Sequence, residues 1–123
     1  MLQSETTLSK GRFAEDLAFD YLLKSGLKPL ARNYRCPRGE IDIIMQHDET
    51  ITFIEVRYRK NDHYISTIET IDKRKCKHII ETSQHFLQAN RKAAKYPCRF
   101  DVIALTGNLT KPDIEWIKNA FHA

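Results

Sequence analysis

The chain of 123 residues carries 20 lysines and arginines against 16 aspartates and glutamates, a net charge of +4, and 41% of its residues are hydrophobic. A chain of this size and apolar content can form a core without metal or disulfide crosslinks, which excludes intrinsic disorder and collagen-like repeats. No apolar run approaches the roughly 20 residues of a membrane span. We therefore expect one soluble domain over residues 1–123.

Two features predict a cytoplasmic location. The first ten residues are polar and lack the basic and then apolar layout of a signal peptide. The three cysteines, Cys36, Cys76 and Cys98, are widely spaced and contain no CxxC pair, as expected of reduced thiols. The pI of about 9.0 favours a nucleic-acid partner only weakly.

The first predicted element is an amphipathic helix from Leu8 to Ser25. Apolar residues recur there in steps of three and four, which is the spacing of one helix face. These residues are Phe13, Ala14, Leu17, Ala18, Tyr21 and Leu22. Ser9 is the expected N-cap, and Gly26 is expected to end the helix.

Extended segments follow the first helix. A short one is predicted around Asn33 and Tyr34, followed by a turn at Pro37 and Gly39. Two strands are then expected, joined by a connection at residues 47–49 and followed by a loop at residues 60–70. The strands run over Glu40–Gln46 and Thr50–Tyr58.

The second half begins with a helix that opens at Asp72 and ends near Asn90. Its predicted buried face carries Cys76, Ile79, Ile80, Ser83 and Leu87. A buried strand at Arg99–Leu105, a turn at Gly107 and a short strand at Asp113–Ile117 complete the chain. Because each amphipathic helix must cover a sheet face, the element order predicts a mixed α/β layer structure.

The two central strands predict a hairpin that brings two acids together. With the turn centred between Asp48 and Glu49, Ile44 faces Phe53 and Asp42 faces Glu55. One hairpin face is then apolar, and the other carries both acids and a cation. The apolar set is Ile41, Ile43, Ile54 and Val56, and the cation is Arg57.

Opposed carboxylates about 5 Å apart repel each other by roughly 3 kcal/mol at an effective dielectric constant near 20. A Mg²⁺ or Mn²⁺ ion bound by Asp42 and Glu55 would remove this repulsion, and it could activate water for attack on a phosphodiester. Arg57 could then stabilise charge on the phosphate. Alternatively, Asp42 pairs with Arg57 while Glu55 reaches another cation or water, and a register slip of one residue would separate the acids.

An acid in one strand followed by Glu-x-Lys/Arg in the next resembles the PD-(D/E)xK nucleases. Further motifs, in order along nearly the whole chain, identify it as a member of the YraN family of bacterial proteins. These motifs are Gly11–Glu15, Asn33–Arg35, Gly39–Asp42, Phe53–Arg57, Asp72–Lys75 and Arg99–Val102.

The resemblance implies a restriction-endonuclease-like three-layer α/β fold, with a central mixed sheet that contains an antiparallel hairpin and is flanked by helices, similar to the archaeal Holliday-junction resolvases. By the same resemblance, Glu15 is a helical catalytic acid, Asp42 and Glu55 are metal ligands, and Arg57 takes the position of the family's lysine. Arginine binds phosphate as a planar fork but does not replace lysine as a compact donor to the attacking water. The resemblance therefore supports nucleic-acid contact more strongly than cleavage.

Clustered basic residues are the remaining candidates for nucleic-acid contact. The start of a helix attracts anions, so cations there are well placed to hold a phosphate backbone, although a solvated basic face is the alternative. The candidates are Lys73, Arg74, Lys75 and Lys77 in the second helix, with Arg59 and Lys60 after the hairpin. Tyr58, Tyr64 and Tyr96 lie near basic runs and could stack on bases.

We therefore predict a nucleic-acid-binding protein with Mg²⁺- or Mn²⁺-dependent nuclease activity on branched or single-stranded DNA, acting in repair or recombination. The alternative is a non-catalytic module that binds nucleic acid or a protein of the DNA-processing machinery. Resolvase-like relatives suggest a homodimer. Arg99 and Asp101 form either a support for the site or a structural ion pair.

Overall fold

Two helices and five strands make up the fold in the computed structural model, which describes residues 7–60 and 71–123. In chain order the elements are α1 (Thr7–Lys24), β1 (Lys28–Cys36), β2 (Gly39–His47), β3 (Thr50–Arg59), α2 (Lys73–Ala89), a 3₁₀ turn (Ala93–Lys95), β4 (Cys98–Thr106) and β5 (Asp113–Phe121). Neither helix in these two ranges is long and apolar enough to cross a membrane.

The five strands form one sheet in chain order, β1-β2-β3-β4-β5. All neighbours are antiparallel except β3 and β4, which are parallel and are connected through α2. The helices cover opposite faces. Ala18 and Leu22 of α1 pack with Ile54, whereas Ile79 and Phe86 of α2 pack in a separate core. The predicted three-layer α/β fold with a mixed sheet and an antiparallel hairpin is confirmed.

Small residues let α1 lie close to the sheet. Ala14, Ala18 and Leu22 are at most 1% exposed. Phe13 was predicted on this face, and that prediction is wrong: its side chain is 44% exposed, because it lies one residue outside the stripe that contacts the sheet. Ser9 lies inside α1, so it is not the N-cap.

The predicted end of α1 is confirmed. Gly26 has φ +95°, a left-handed conformation that glycine adopts without a steric penalty. Its N–H donates to the carbonyl of Leu23, and the N–H of Leu27 donates to that of Leu22. This pair of bonds is a Schellman C-cap, which satisfies two of the last carbonyls of the helix.

The predicted bounds of α2 are also confirmed. The Asp72 carboxylate caps the helix by accepting the N–H of Lys75 at 2.8 Å, and Asn90 is the C-cap. The fully buried side chains differ in part from the predicted stripe. They are Ile79, Thr82, Ser83 and Phe86, while Cys76, Ile80 and Leu87 are half-buried.

The edge strands are longer than predicted. β1 and β5 each have nine residues, and most of their side chains are at least partly exposed. Exposed strands need no apolar alternation, so their sequences show only part of their length. The inner strands β2, β3 and β4 match their predicted positions. Of the predicted loop at residues 60–70, only Lys60 lies within the described residues.

Candidate metal and nucleic-acid site

The hairpin of β2 and β3 has the predicted register over its inner part. Ile44 pairs with Phe53, and the pairing runs from Ile43 and Ile54 to the turn. It stops before the two acids. There the Oδ2 atom of Asp42 accepts the N–H of Val56 at 2.8 Å, so a carboxylate takes the place of a backbone carbonyl.

The predicted faces of the hairpin are wrong at its open end. Ile41 packs in the α2 core with Ile44, whereas Ile43 packs in the α1 core. The pairing of β1 with β2 skips Asn33 and Asp42, and Asn33 has φ +52°. This interruption breaks the two-residue alternation of β2, and it leaves Asp42 lining a groove beside α1.

The pKa of Asp42 is raised to about 8, mainly by burial. The negative charges of Glu55 and Glu15 and a hydrogen bond with Glu55 contribute to this rise, whereas the N–H of Val56 opposes it. The side chains of the two acids therefore lie close enough to form a hydrogen bond. This is the electrostatic arrangement that a divalent cation would relieve.

Glu55 lies among cations. It is 6% exposed, and its Oε2 atom is 3.6 Å from Nε of Arg57 and 3.5 Å from Nζ of Lys75. Of the alternative arrangement, the contact of Glu55 with another cation is confirmed by Lys75, whereas the pairing of Asp42 with Arg57 is wrong, because Arg57 lies beside Glu55. The Nε atom of Arg57 is buried and has no hydrogen-bond partner among the described residues, since its distance of 3.6 Å from Glu55 is too long for a hydrogen bond.

Glu15 of α1 reaches the groove that Asp42 lines. Its side chain is 13% exposed, and its Oε1 atom accepts hydrogen bonds from Arg32 at 3.0 Å and Asn33 at 2.9 Å. Arg32 also contacts Asp16 at 2.8 Å. The groove has a volume of about 830 Å³, and Arg12 and Arg35 line it as well. Three of the four predicted catalytic residues thus lie at or beside this end of the hairpin, and Glu15 acts on Asp42 across the groove.

The predicted basic cluster at the start of α2 is divided by the fold. Lys75 contacts Glu55, whereas Lys73 and Lys77 line a different cavity of about 560 Å³ with Cys76 and Phe121. Arg74 is exposed. Of this basic cluster, Lys75 therefore lies at the acids, whereas Lys73 and Lys77 lie at a different cavity.

The remaining nucleic-acid candidates lie apart from the acids. Arg59 is exposed, and Lys60 lines a smaller groove that is described below. The hydroxyl of Tyr58 donates to the carbonyl of Gly107 at 2.8 Å. Tyr96 is 39% exposed, and Tyr64 lies outside the described residues.

Asp101 forms a structural network. It is fully buried and accepts hydrogen bonds from the Arg99 guanidinium, Nε1 of Trp116 and the N–H of Asn119, at 2.8 to 3.0 Å. Arg99 also lies 3.0 Å from Nδ1 of His47. The partners of Asp101 belong to β4 and β5, and His47 is the last residue of β2, so we assign the pair to the architecture of the sheet.

Three contacts in the candidate site were missed from the sequence. Arg32 and Asn33 hold Glu15, and Lys75 contacts Glu55, although Asn33 and Lys75 both lie within the family motifs. An asparagine inside an extended segment was the available signal, because asparagine tolerates a left-handed backbone better than most residues. Nothing in the local pattern around Lys75 distinguished it from Lys73 and Lys77.

The residues fit a hard divalent cation better than zinc. Mg²⁺ and Mn²⁺ bind to one or two carboxylates and keep several waters, which matches the buried pair of Asp42 and Glu55. Structural zinc takes four protein ligands. Over residues 7–60 and 71–123, no three histidines, cysteines or acids come together to hold one ion.

A model of the uncharacterised protein family UPF0102 matches residues 14–105. The chain belongs to this family. The match includes Glu15, Asp42, Glu55 and Arg57, and it confirms the resemblance to the YraN proteins.

UPF0102 proteins of several bacteria are similar to this chain over almost their whole length. That of Stutzerimonas stutzeri is 45% identical over 115 residues, covering 94% of this chain and 96% of the relative. That of Saccharophagus degradans is 48% identical over 111 residues, covering 90% and 91%. That of Pseudomonas aeruginosa is 40% identical over 125 residues, covering both chains completely.

Proposed function

We propose that this UPF0102 protein is a Mg²⁺- or Mn²⁺-dependent nuclease that acts on DNA phosphodiesters. The observation that carries the proposal is the pair of carboxyl groups at the open end of the hairpin. Asp42 and Glu55 interact directly, and both are largely buried. Five cationic residues approach the pair or its groove: Arg57 and Lys75 beside Glu55, and Arg12, Arg32 and Arg35 in the groove. A structural hairpin gains nothing from this arrangement, whereas a cation and a phosphate together would neutralise it.

Each residue has a separate role in the proposal. Asp42 and Glu55 would hold the metal ion, and the chemistry that such an ion would supply is polarisation of the phosphodiester and acidification of a water molecule. Arg57, whose guanidinium lies beside Glu55, would bind the phosphate that is cleaved. Glu15, held through Oε1 by Arg32 and Asn33, lines the same groove as Asp42 and would assist through the metal ion or a water molecule.

Lys75 supplies the compact ammonium that Arg57 cannot. An arginine binds phosphate by a rigid fork and stays charged, whereas a lysine offers three donors on a flexible stem and can orient a water molecule. Lys75 reaches Glu55 from α2 at 3.5 Å, a comparable distance to that of Arg57. The substitution of arginine in the strand motif is thereby compatible with hydrolysis.

The proposal is tested by metal binding and cleavage together. Calorimetric titration of Mn²⁺ into the protein is expected to give heat that disappears in the D42N and E55Q variants, because each removes a ligand charge. Both variants are expected to lose cleavage of branched and single-stranded DNA. D20N, an exposed acid on α1, is the matched control and is expected to behave like the wild type.

A second candidate function is a non-catalytic module that binds nucleic acid. The arginine at position 57 favours it, since phosphate binding survives where hydrolysis does not. This module would bind DNA in a salt-dependent manner that D42N and E55Q leave unchanged. Normal cleavage by D42N would overturn the assignment of the acids, and metal-independent binding without cleavage would favour the module.

A further inference from the structure

An exposed aromatic residue lies beside the proposed nuclease site. The side chain of Phe13 is 44% exposed on α1, although its neighbour Ala14 is buried against the sheet. The adjacent Arg12 lines the groove that contains Asp42 and Glu15. A single exposed apolar residue is ordinary on a protein surface, so its surroundings decide what it can do.

Phe13 lies in a second groove of about 370 Å³, which we call the Phe13 groove. It is formed by the first turns of α1, the end of β3 and the turn between β4 and β5. Its lining residues are Lys10, Phe13, Tyr58, Lys60, Gly107, Asn108, Leu109 and Thr110. Among the described residues, this set contains two lysines and no carboxylate, so its charge suits an anionic ligand.

The wall opposite α1 is held by hydrogen bonds. The Tyr58 hydroxyl donates to the carbonyl of Gly107 at 2.8 Å. The Asn108 side chain accepts the N–H and the hydroxyl of Thr110, both at 2.9 Å, and Leu109 is 8% exposed. Ligand grooves are usually formed before binding, and this turn meets that condition.

The Phe13 groove lies next to the groove of the acids. Tyr58 lines both, and Arg12 and Phe13 are consecutive residues of α1 that line one each. A chain of phosphates that passes Arg12 toward Asp42 would therefore also pass Lys10 and Phe13.

We propose that the Phe13 groove stacks an unpaired nucleobase of the DNA strand that enters the nuclease site. This inference rests on the proposed function and names the part of the substrate that the site requires. Exposed aromatic rings and lysines together are how proteins hold single strands, because every base has a face for stacking and every linkage has a negative charge. Bases inside a duplex are covered on both faces by their neighbours. The proposed substrate is therefore single-stranded where it contacts Phe13.

Binding measured without metal tests the inference separately from cleavage. In EDTA, fluorescence anisotropy would follow a labelled oligothymidylate and a blunt duplex of equal length. F13A is expected to weaken binding of the oligothymidylate about tenfold, whereas F13W is expected to keep it. Duplex affinity is expected to change less than twofold. L23A is the control, since Leu23 is also exposed on α1 but lies outside both grooves.

The salt dependence separates stacking from charge. F13A is expected to lower the affinity without changing the slope of log K against log salt concentration, because it removes no charge. K10Q and K60Q are each expected to reduce that slope by about 0.7, the value for one phosphate contact on a single strand. Equal losses in F13A and L23A, an equal loss on the duplex, or a failure of F13W to bind like the wild type would each overturn the inference. Phe13-dependent binding in a protein that cleaves nothing with Mn²⁺ would support the groove and overturn the nuclease.

Discussion

Two carboxyl groups that lie buried and in contact cannot both be ionised cheaply without a counter-ion. In the metal-free protein this cost falls on Asp42. Its pKa is raised to about 8 by burial and by the negative charge of Glu55. A raised pKa in the folded state means that folding binds protons between about pH 4 and pH 8. The protonation of the acid pair can therefore be followed through the pH dependence of the protein's stability.

Metal-free stability is expected to fall as pH rises from 5 to 8. The folded protein holds a proton on Asp42 that the unfolded chain, with an ordinary carboxyl pKa, has already released, so raising the pH favours unfolding. D42N removes this term. The difference of almost one bound proton over most of this range corresponds to about 3 kcal/mol, so thermal unfolding in EDTA is expected to show that the melting temperature of the wild type falls by roughly 12 °C more than that of D42N.

Addition of Mn²⁺ at pH 8 is expected to restore the wild type and to leave D42N unchanged, because only the wild type can exchange its proton for the ion. Parallel melting temperatures of the wild type and D42N between pH 5 and 8 would contradict the raised pKa.

Lys75 is expected to matter for cleavage and not for metal binding. K75M removes the ammonium 3.5 Å from Glu55 while Arg57 still compensates the carboxylate. We expect cleavage to fall by about 10² or more, the usual loss for one catalytic donor. Mn²⁺ affinity by calorimetry is expected to be unchanged or slightly higher. K77M is the control, since Lys77 lies on the same helix but lines a different cavity; an equal effect of both variants would point to a general loss of charge.

At the level of elements, the pairing of β1 with β2 is irregular at the position that faces the candidate site. Asn33 interrupts the pairing with β2 opposite Asp42, and its side chain binds Glu15. A left-handed residue in the middle of a strand has an energetic cost, which persists where a surrounding structure requires it. Asn33 thus has two effects: its side chain holds Glu15 of the helix, and its backbone interrupts the strand pairing opposite Asp42.

Two substitutions at Asn33 separate its backbone and its side chain. N33A is expected to lower the free energy of unfolding by about 1 kcal/mol, because alanine disfavours a positive φ. N33G is expected to be as stable as the wild type within roughly 0.5 kcal/mol, since glycine accepts that conformation. Both lose the hydrogen bond to Glu15, so both are expected to reduce cleavage equally. Chemical denaturation and cleavage rates measure the two effects; full activity of N33G would show that the side chain is dispensable.

Much of the element order could be predicted, because elements with one buried face have a periodic pattern of apolar residues in the sequence. The stripe of Ala14, Ala18 and Leu22 and the alternating pattern of β3 both follow from which face is buried. The hairpin register followed from its two-residue turn. The edge strands could not be bounded, because exposed residues are under no such constraint.

The acids of the site could be predicted, but their geometry could not. Regular alternation placed Asp42 on the face of Ile44, and the interruption at Asn33 lies in a different strand, so nothing near Asp42 signalled it. The contact of Lys75 with Glu55 depends on how α2 crosses the sheet. Contacts that join distant elements are set by packing, which local periodicity does not contain.

At the scale of the whole molecule, Asp101 ties β4 and β5 to the end of β2. D101N would leave the Arg99 guanidinium without its charge partner in a buried place, at a cost of about 3 kcal/mol. The melting temperature is expected to drop by roughly 10 °C. Calorimetry well below that temperature is expected to show unchanged Mn²⁺ binding. Loss of metal binding in a folded D101N variant would instead assign Asp101 to the site.

The single parallel pair in the sheet has a consequence for how the protein folds. α1 and β1 to β3 precede the crossover, and their pairings join segments close in the chain, whereas β3 meets β4 only after α2 has been placed. Contacts of long sequence separation form slowly, because the intervening chain must first be ordered. Asp42 and Glu55 therefore belong to the segment that can form early, and Lys75 arrives with the crossover. A folding intermediate with only the first segment formed would contain both acids but would lack Lys75 beside Glu55. During refolding, the proposed cleavage activity would therefore return later than the structure of the hairpin.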